Sequence, residues 1–122
     1  MTYEVSFGRI LLMPTVNVFL ASQEHQELLM THCDGLKELL ARELSCDERE
    51  LQPNEISVRV IRTVSRKGML ADVELDITAA AYHERVTRQD NICSLVSAWF
   101  RNIAGIEVKT WLALSELGHS MT

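Results

Sequence analysis

Arg59 is the residue whose sequence context most directly suggests a functional role. It lies between Val58 and Val60 in the segment ISVRVIRTV, residues 56–64, in which residue types largely alternate between two faces. This period of two predicts a strand with one buried face. A guanidinium in mid-strand, on the face that also carries Ile61, needs a carboxylate partner from the protein or from a ligand. Arg59 is therefore a candidate for anion binding.

The other polar candidates have simpler explanations. Arg62, Arg66 and Lys67 extend the basic cluster of Arg59, but a solvated strand end and turn accounts for these three. His25 and His32 face the same way on a predicted helix, about two turns or roughly 10 Å apart, which is too far for one metal ion. The sequence lacks a glycine-rich nucleotide loop, HExxH and GxSxG. We therefore predict no metal site.

Pro14 raises a second question. In LLMPTVNVFL, residues 11–20, Met13 and Pro14 stand directly before an alternating run that predicts a strand. Proline donates no ladder hydrogen bond, so the start of a strand is one of its natural places. Met-Pro is also how a gene product can begin, with residues 1–12 then an addition in front of it. The residues alone leave both interpretations open.

The elements that must position these residues form two similar units. After Leu20, the segment 22–44 predicts a helix with Ser22 as N-cap and Glu24 in its first turn, where the helix dipole favours a carboxylate. The helix ends before a polar turn that contains Pro53. Its apolar face is formed by residues spaced three and four apart: Leu29, Cys33, Leu36, Leu40 and Leu44.

The second unit repeats this layout. MLADVELDITA, residues 69–79, predicts a strand whose inward residues are Ala71, Val73, Leu75 and Ile77. A second helix is predicted over residues 84–105, with Gly105 as its C-cap. Its apolar stripe is Cys93, Val96, Phe100 and Ile103. IEVKTWLAL, residues 106–114, predicts the last strand, followed by a tail at 115–122.

The order of elements predicts the fold class. The halves 14–64 and 71–114 both have the layout strand, helix, strand, which favours a parallel strand pair with a right-handed crossover. We predict an α+β fold, a duplicated β-α-β with a four-stranded mixed sheet and two helices on one face. The other face carries Arg59, Glu74 and Lys109, with Ile61 and Trp111, and such mixed faces often pack against another subunit.

The extension and the composition complete the prediction. Residues 1–13 form an N-terminal extension, in which residues 3–7 alternate like a short strand, and residues 14–122 form a single domain. The composition is 47% hydrophobic, and the net charge of -5 is the opposite of a nucleic-acid footprint. No apolar run reaches the roughly 20 residues that span a bilayer. We expect neither nucleic acid nor membrane as a partner.

Cysteine usage indicates the compartment. The chain has three cysteines and no CxxC pair, which suggests reduced thiols in the cytoplasm. We interpret Cys33 and Cys93 as buried side chains rather than redox groups.

The segment MPTVNVFL, the helix after it, the Pro-containing turn and ISVRVI together resemble the tautomerase superfamily. This superfamily includes 4-oxalocrotonate tautomerase and macrophage migration inhibitory factor. The sequence is most similar to an uncharacterised bacterial branch that begins with Met-Pro. The resemblance covers residues 13 to 114, and it implies a homotrimer whose uncovered sheet faces pack around a central axis.

The resemblance also implies an activity. In the superfamily the initiator Met is removed and an amino-terminal proline acts as a general base, without a cofactor, on a 2-oxo acid or its enol. A secondary amine in an apolar pocket beside arginines has a lowered pKa, which brings it toward the working pH. By position, Pro14 matches the catalytic proline and Arg59 the arginine that holds the substrate carboxylate. The family's other arginine, just after the first strand, has no match in ASQEHQ, residues 21–26.

Two function hypotheses follow. If the true start is Met13, the chain is a small cytoplasmic tautomerase or isomerase. In this sequence, however, the nitrogen of Pro14 is joined to Met13 and cannot act as a base. The alternative is a non-enzymatic ligand-binding or assembly protein on the same scaffold.

Overall fold

The computed structural model describes residues 13–116. The short strand predicted at residues 3–7 lies outside the described residues, as do the rest of the extension up to residue 12 and the tail from residue 117. The division into an extension at 1–13 and one domain at 14–122 therefore stays a prediction.

The described residues confirm the α+β prediction. Strands and helices follow one another as two β-α-β units, and a one-turn 3-10 helix at Pro53–Glu55 lies before the second strand. The elements are β1 Thr15–Leu20, α1 Gln23–Leu44, β2 Ser57–Arg62, β3 Val73–Ala80, α2 His83–Thr87, α3 Gln89–Ala104 and β4 Val108–Ser115.

The four strands form one mixed sheet in the order β2-β1-β3-β4. β1 pairs in parallel with β2, and β3 in parallel with β4, because the helix between the strands of each unit returns the chain to the same end. The two units meet through β1 and β3, which are antiparallel. The start of β1 therefore lies beside the end of β3.

The helices cover one face of the sheet, and the core lies between them. The alternation predicted for the strands is confirmed, since Val16, Val18 and Leu20 are fully buried. The predicted N-cap is also confirmed, because the Ser22 hydroxyl accepts a hydrogen bond from the backbone N–H of His25 at 3.1 Å. The other core residues include Leu29, Leu36, Leu40, Leu44, Val73, Leu75, Ile77, Ile92, Val96 and Phe100.

The prediction of one continuous second helix is wrong. The segment is divided at Arg88 (φ -105, ψ 8) into the short α2 and the longer α3. Arg88 donates to the carbonyl of Glu43 at 3.0 Å and to its carboxylate at 2.7 Å. The Thr87 hydroxyl donates back to the carbonyl of Glu84. These hydrogen bonds stabilise the break between the two helices. The contact with α1 could not be predicted from the helical periodicity of the segment.

Two burial predictions also need correction. Cys33 and Cys93 are half-buried rather than buried. Ile103, predicted to lie in the apolar stripe of the second helix, is 40% exposed. The buried stripe is Ile92, Val96 and Phe100, which is rotated toward the sheet relative to the predicted one.

The second face of the sheet carries the predicted mixture of charged and apolar residues. No helix of residues 13–116 covers it, and Ile61 and Trp111 are exposed there. The register forms rows across this open face, one of which runs Arg59, Asn17, Asp76, Trp111.

Candidate functional site

Pro14 lies at the start of the central strand β1. It is buried, and its carbonyl oxygen accepts a hydrogen bond from the N–H of Ser57 at 3.1 Å. The next residue, Thr15, pairs with Ser57 in β2 and with Thr78 in β3. Pro14 is thus held between the start of β2 and the end of β3.

Arg59 lies elsewhere, in the middle of β2 and on the open face. It pairs with Asn17, which is three residues from Pro14, or about 10 Å along the strand. The alternation of β1 places Pro14 on the helix-covered side, away from Arg59. The two residues singled out by the resemblance are therefore not brought together within one chain.

The surroundings of Arg59 are polar and incompletely paired. Within residues 13–116 its guanidinium forms no ion pair and no hydrogen bond, and the Oδ1 atom of Asn17 beside it is buried without a donor. The expectation that Arg59 binds a carboxylate stays a prediction.

A functional candidate that the sequence reasoning missed is Arg85 of α2. Its side chain is only 1% exposed. The Nε atom donates to the carbonyl of Leu44 at 2.7 Å, and Nη1 donates to the carbonyl of Ala80 at 3.1 Å. The guanidinium lies 4.8 Å from the centre of the Tyr82 ring. Its Nη2 atom is buried and has no acceptor among the described residues.

Arg85 and Pro14 lie at the same end of the sheet. Ala80 is the last residue of β3, and the antiparallel register with β1 places the end of β3 beside the residues that precede Thr15. The carbonyl of Ala80 is one of the acceptors of Arg85. The structure therefore places an arginine at the same end of the sheet as the proline, and this arginine comes from α2 and not from β2.

The electrostatics of this end are dominated by a buried cation. Burial lowers the pKa of Arg85, while the nearby Cys46, Tyr82 and Glu48 favour its charged form and Arg49 opposes it. A guanidinium nevertheless keeps its charge in proteins at neutral pH. Among the described residues no carboxylate forms an ion pair with Arg85, although the charge of Glu48 acts on it from a longer distance.

A periodic signal could have found Arg85. It precedes Ile92 by seven residues and Cys93 by eight, so a helix continued backward from the buried stripe places it on the core side. Its charge argued for a surface position, because arginine is seldom fully buried. The two carbonyls that make its burial tolerable come from α1 and β3 and are invisible in the local sequence.

An ion pair and a hydrogen bond fix the loop that follows α1 beside this site. Arg49 pairs with Glu55, and Glu84 accepts a hydrogen bond from the N–H of Asp47 at 3.2 Å. Burial opposes the ionisation of Glu43, but the hydrogen bonds from Arg88 and Arg42 outweigh it and lower its pKa. Burial raises the pKa of the Cys46 thiol.

The two histidines discussed above lie on α1, seven residues apart. His32 is half-buried, with its ring edge-on to Trp99 at a centroid distance of 6.3 Å. Within residues 13–116, no group of three or more histidine, cysteine, aspartate or glutamate side chains could hold a metal ion. In the same range no helix combines the length and the apolar character needed to cross a membrane.

Comparisons with known proteins give matches at the level of structure. No protein-family model matches the sequence, and no curated protein matches it significantly. A macrophage migration inhibitory factor-like protein of Entamoeba histolytica superimposes with a TM-score of 0.59 at 13% identity, over 85% of this chain and 90% of that one.

Two other solved structures are similar to the same degree. A protein of unknown function from Vibrio cholerae gives a TM-score of 0.58 at 15% identity, over 88% of this chain and 81% of that one. N1, a member of the cis-3-chloroacrylic acid dehalogenase family, gives a TM-score of 0.56 at 15% identity, over 88% of this chain and 78% of that one. At such identities a likeness shows the fold and nothing more. The chain therefore has the tautomerase-type fold, which it shares with macrophage migration inhibitory factor-like proteins. This is the fold that the resemblance in its sequence implies.

Proposed function

We propose that this protein is a small tautomerase or isomerase that transfers a proton on a 2-oxo acid or its enol, with Pro14 as the base in a chain that begins there. The observation that carries the proposal is the position of Pro14. It is buried at the start of the central strand, at the end of the sheet where the guanidinium of Arg85 is buried and forms no ion pair within residues 13–116.

The chemistry follows from this setting. In a chain that starts at Pro14, the secondary amine is surrounded by buried residues and lies at the same end as a cation, and both effects disfavour its protonated form. A neutral amine can take the proton from an enol hydroxyl and return it to the neighbouring carbon, which yields the 2-oxo acid. The positive field of Arg85 favours the carboxylate and the enolate formed on the way.

Arg59 enters the proposal only through a second copy of the chain. It lies on the open face, so it can approach a Pro14 only when that face packs against another subunit. We accordingly propose a homotrimer assembled through the open faces, in which Arg59 of one copy serves the site of its neighbour and binds a small carboxylate-containing ligand.

The second candidate function is ligand binding or assembly without catalysis. One observation favours it: the nitrogen of Pro14 belongs to a tertiary amide in this sequence, and an amide nitrogen has no basic lone pair. In this case Arg85 and Arg59 bind an anion or serve the structure, and no proton is transferred. We propose a cytoplasmic location for either function, because all three cysteines are free thiols.

A comparison of two chains separates these functions. A chain started at Met13, whose Met is trimmed to expose Pro14, should ketonise the enol of an arylpyruvate, whereas the full chain should not. Its rate should rise with pH through a pKa below the roughly 7.7–8.0 of an ordinary α-amino group. Pro14→Ala in the short chain keeps a primary amine and should slow the reaction without abolishing it. A short chain that is folded by circular dichroism and inert toward a panel of enol acids supports the non-catalytic function instead.

A further inference from the structure

Within residues 13–116, the sheet leaves the outer edge of β2 without a partner strand. We propose that residues 3–7 of the same chain, with the sequence YEVSF, add to this edge as a further strand antiparallel to β2. The inference concerns the full chain and does not rest on the proposed catalysis.

The backbone of β2 offers hydrogen bonds on its outer side. The N–H groups of Ser57 and Thr63 donate to β1, so alternate residues of this strand are bonded inward. The N–H and C=O groups of Val58 and Val60 therefore point outward, where no strand of residues 13–116 pairs with them. An edge of this kind is a template for an added strand.

The two faces of this edge differ in chemistry. The side chains of Val58 and Val60 lie on the helix side, where they are half-buried against the core. On the open face, Arg59 is exposed and forms no ion pair within residues 13–116. A strand that fits both faces should therefore alternate apolar and acidic residues.

The helix side of the edge also leaves an apolar side chain of α1 uncovered. Arg62 of β2 donates to the side-chain oxygens of Gln23 and Gln26, both at 3.0 Å, which places this flank of α1 beside β2. Met30 follows Gln26 by one helical turn on the same flank and is 60% exposed. Apolar side chains of an added strand can cover it.

Residues 3–7 have the alternation that the edge requires. Tyr3, Val5 and Phe7 occupy one face of an extended segment, and Glu4 and Ser6 occupy the other. The apolar face can lie on the helix side only if the polar face lies on the open face. Both requirements of the edge are thus satisfied by one orientation of the segment.

Charge complementarity sets the register. With Glu4 opposite Arg59, Val5 lies opposite Val58, whose outward backbone groups it can bond. Glu4 and Arg59 then form a pair without mutual hydrogen bonds, which is the arrangement that brings facing side chains closest together. The carboxylate of Glu4 thereby becomes the partner of the exposed guanidinium.

The position of Met13 and the length of chain before it permit this docking. Met13 precedes the start of β1, and β2 starts at the same end of the sheet. The outer edge of β2 is two strand spacings from β1, or roughly 10 Å, and residues 8–12 can span about 17 Å when extended. Because residue 7 is the end of the segment nearest to Met13, the added strand runs antiparallel to β2.

Other arrangements fit the same observations less well. The edge at β4 is three strand spacings from β1, and the segment would have to run parallel to β4. One acceptor there is already used, because the side chain of Gln89 donates to the carbonyl of Leu112 at 2.6 Å. Antiparallel pairing of two β2 edges from two copies would bring arginines together across the contact.

Amide exchange in the full chain, followed by NMR, tests the proposal. The N–H groups of Val58 and Val60 should exchange at least about tenfold more slowly than unbonded exposed amides. Val5→Asp should raise both rates by about tenfold, because a carboxylate would lie on the apolar side. Leu70→Asp, at a position that is 69% exposed in the loop after β2, is the matched control and should leave both rates unchanged.

Charge reversal tests the register. Glu4→Arg opposes Arg59 and should raise the two exchange rates by about threefold, and Arg59→Glu added to it should restore them. Glu107→Arg, at an exposed position just before β4, should have no effect.

Three results would overturn the proposal: rapid exchange of both amides in the unchanged chain, equal effects of Val5→Asp and Leu70→Asp, or no recovery in the double charge reversal. Protection that disappears on dilution would also overturn it, because the edge would then be covered by a second copy. None of these readouts depends on catalysis, so they are independent of the outcome for the proposed function.

Discussion

At the scale of single residues, Arg85 is the side chain on which the Pro14 end of the sheet depends. It donates to the carbonyl of Leu44 in the last turn of α1 and to that of Ala80 at the end of β3, which also accepts from the N–H of Tyr82. The buried cation costs desolvation, which is offset by these bonds and by the ring of Tyr82. Arg85 is therefore both a structural residue and the positive charge nearest in the fold to the end of β3.

Removal of Arg85 should destabilise the chain strongly. Arg85→Ala leaves the carbonyl of Leu44 without this donor and removes one of the two donors to the carbonyl of Ala80, so we expect a loss of about 1–3 kcal/mol in the free energy of unfolding. Urea denaturation measures it. Arg101→Ala, at an exposed position in the last turn of α3, is the control and should cost no more than about 1 kcal/mol. Equal losses in the two variants would contradict the role given to Arg85.

The lowered pKa of Glu43 predicts how the stability of the folded chain depends on pH. Its pKa in the folded chain is below the ordinary value of 4.5, with the bonds from Arg88 and Arg42 exceeding the effect of burial. A lowered folded-state pKa contributes stability that is complete above the unfolded-state value and is lost as the pH falls through the folded-state value. Glu43→Gln should therefore cost stability at neutral pH, and the difference from the unchanged chain should shrink below about pH 4.5. Thermal melts from pH 7 to pH 3 show this directly, and a difference that is constant across that range would refute it.

At the scale of elements, the packing of α1 on α3 depends on one glycine. Gly35 lies inside a helix, where glycine costs about 1 kcal/mol relative to alanine. Its lack of a side chain admits the ring of Trp99, which also packs edge-on against Phe100 with centroids 4.9 Å apart. The low helix propensity of Gly35 is offset because a large aromatic ring can pack between the two helices.

Gly35→Ala should consequently destabilise the chain despite its better helix propensity. An added Cβ at 3.0 Å from Cζ2 forces the indole to shift, and we expect a net loss of about 1–2 kcal/mol. In a background with Trp99→Leu the clash disappears, so the same change should become neutral or stabilising. Denaturant titration of the four chains of this double-mutant cycle provides the coupling energy. A coupling energy of zero would mean that the ring of Trp99 moves away from the added Cβ without loss of stability.

At the scale of the whole molecule, the sheet face that no helix of residues 13–116 covers is the feature that the described part of one chain does not explain. It presents Ile61 and Trp111, more than a third exposed, in a face where Asn17 has a buried and unsatisfied oxygen. A second copy of the chain would cover the apolar side chains and could supply the missing donor.

Light scattering at micromolar concentration should accordingly give a mass near three times 13.9 kDa. Ile61→Asp with Trp111→Asp should lower this mass, because two charges would be buried at the interface. Leu95→Asp, similarly exposed but on the helix layer, should leave it unchanged. A monomer of the unchanged chain would remove the trimer and any role of Arg59 at a neighbour's site.

The sequence by itself determined the strands, the long helix α1 and the faces that these elements bury. Alternation in β1 and β3 and the three-and-four spacing in α1 report which side chains avoid water, and this depends on residue type and local geometry alone. The N-cap at Ser22 and the left-handed conformation of Gly105 were likewise determined by the local sequence. The order of strand, helix and strand then constrained the sheet, because a helical crossover returns the chain in parallel.

Only the tertiary structure decided which residues meet. The break at Arg88 is held by Glu43 of another helix, and the burial of Arg85 depends on carbonyls contributed by α1 and β3. Arg59 and Pro14, paired by the resemblance, lie on opposite sides of the sheet in one chain. These outcomes depend on contacts between segments some 40 residues apart, such as Arg85 with Leu44 and Arg88 with Glu43, and no local pattern encodes such distances.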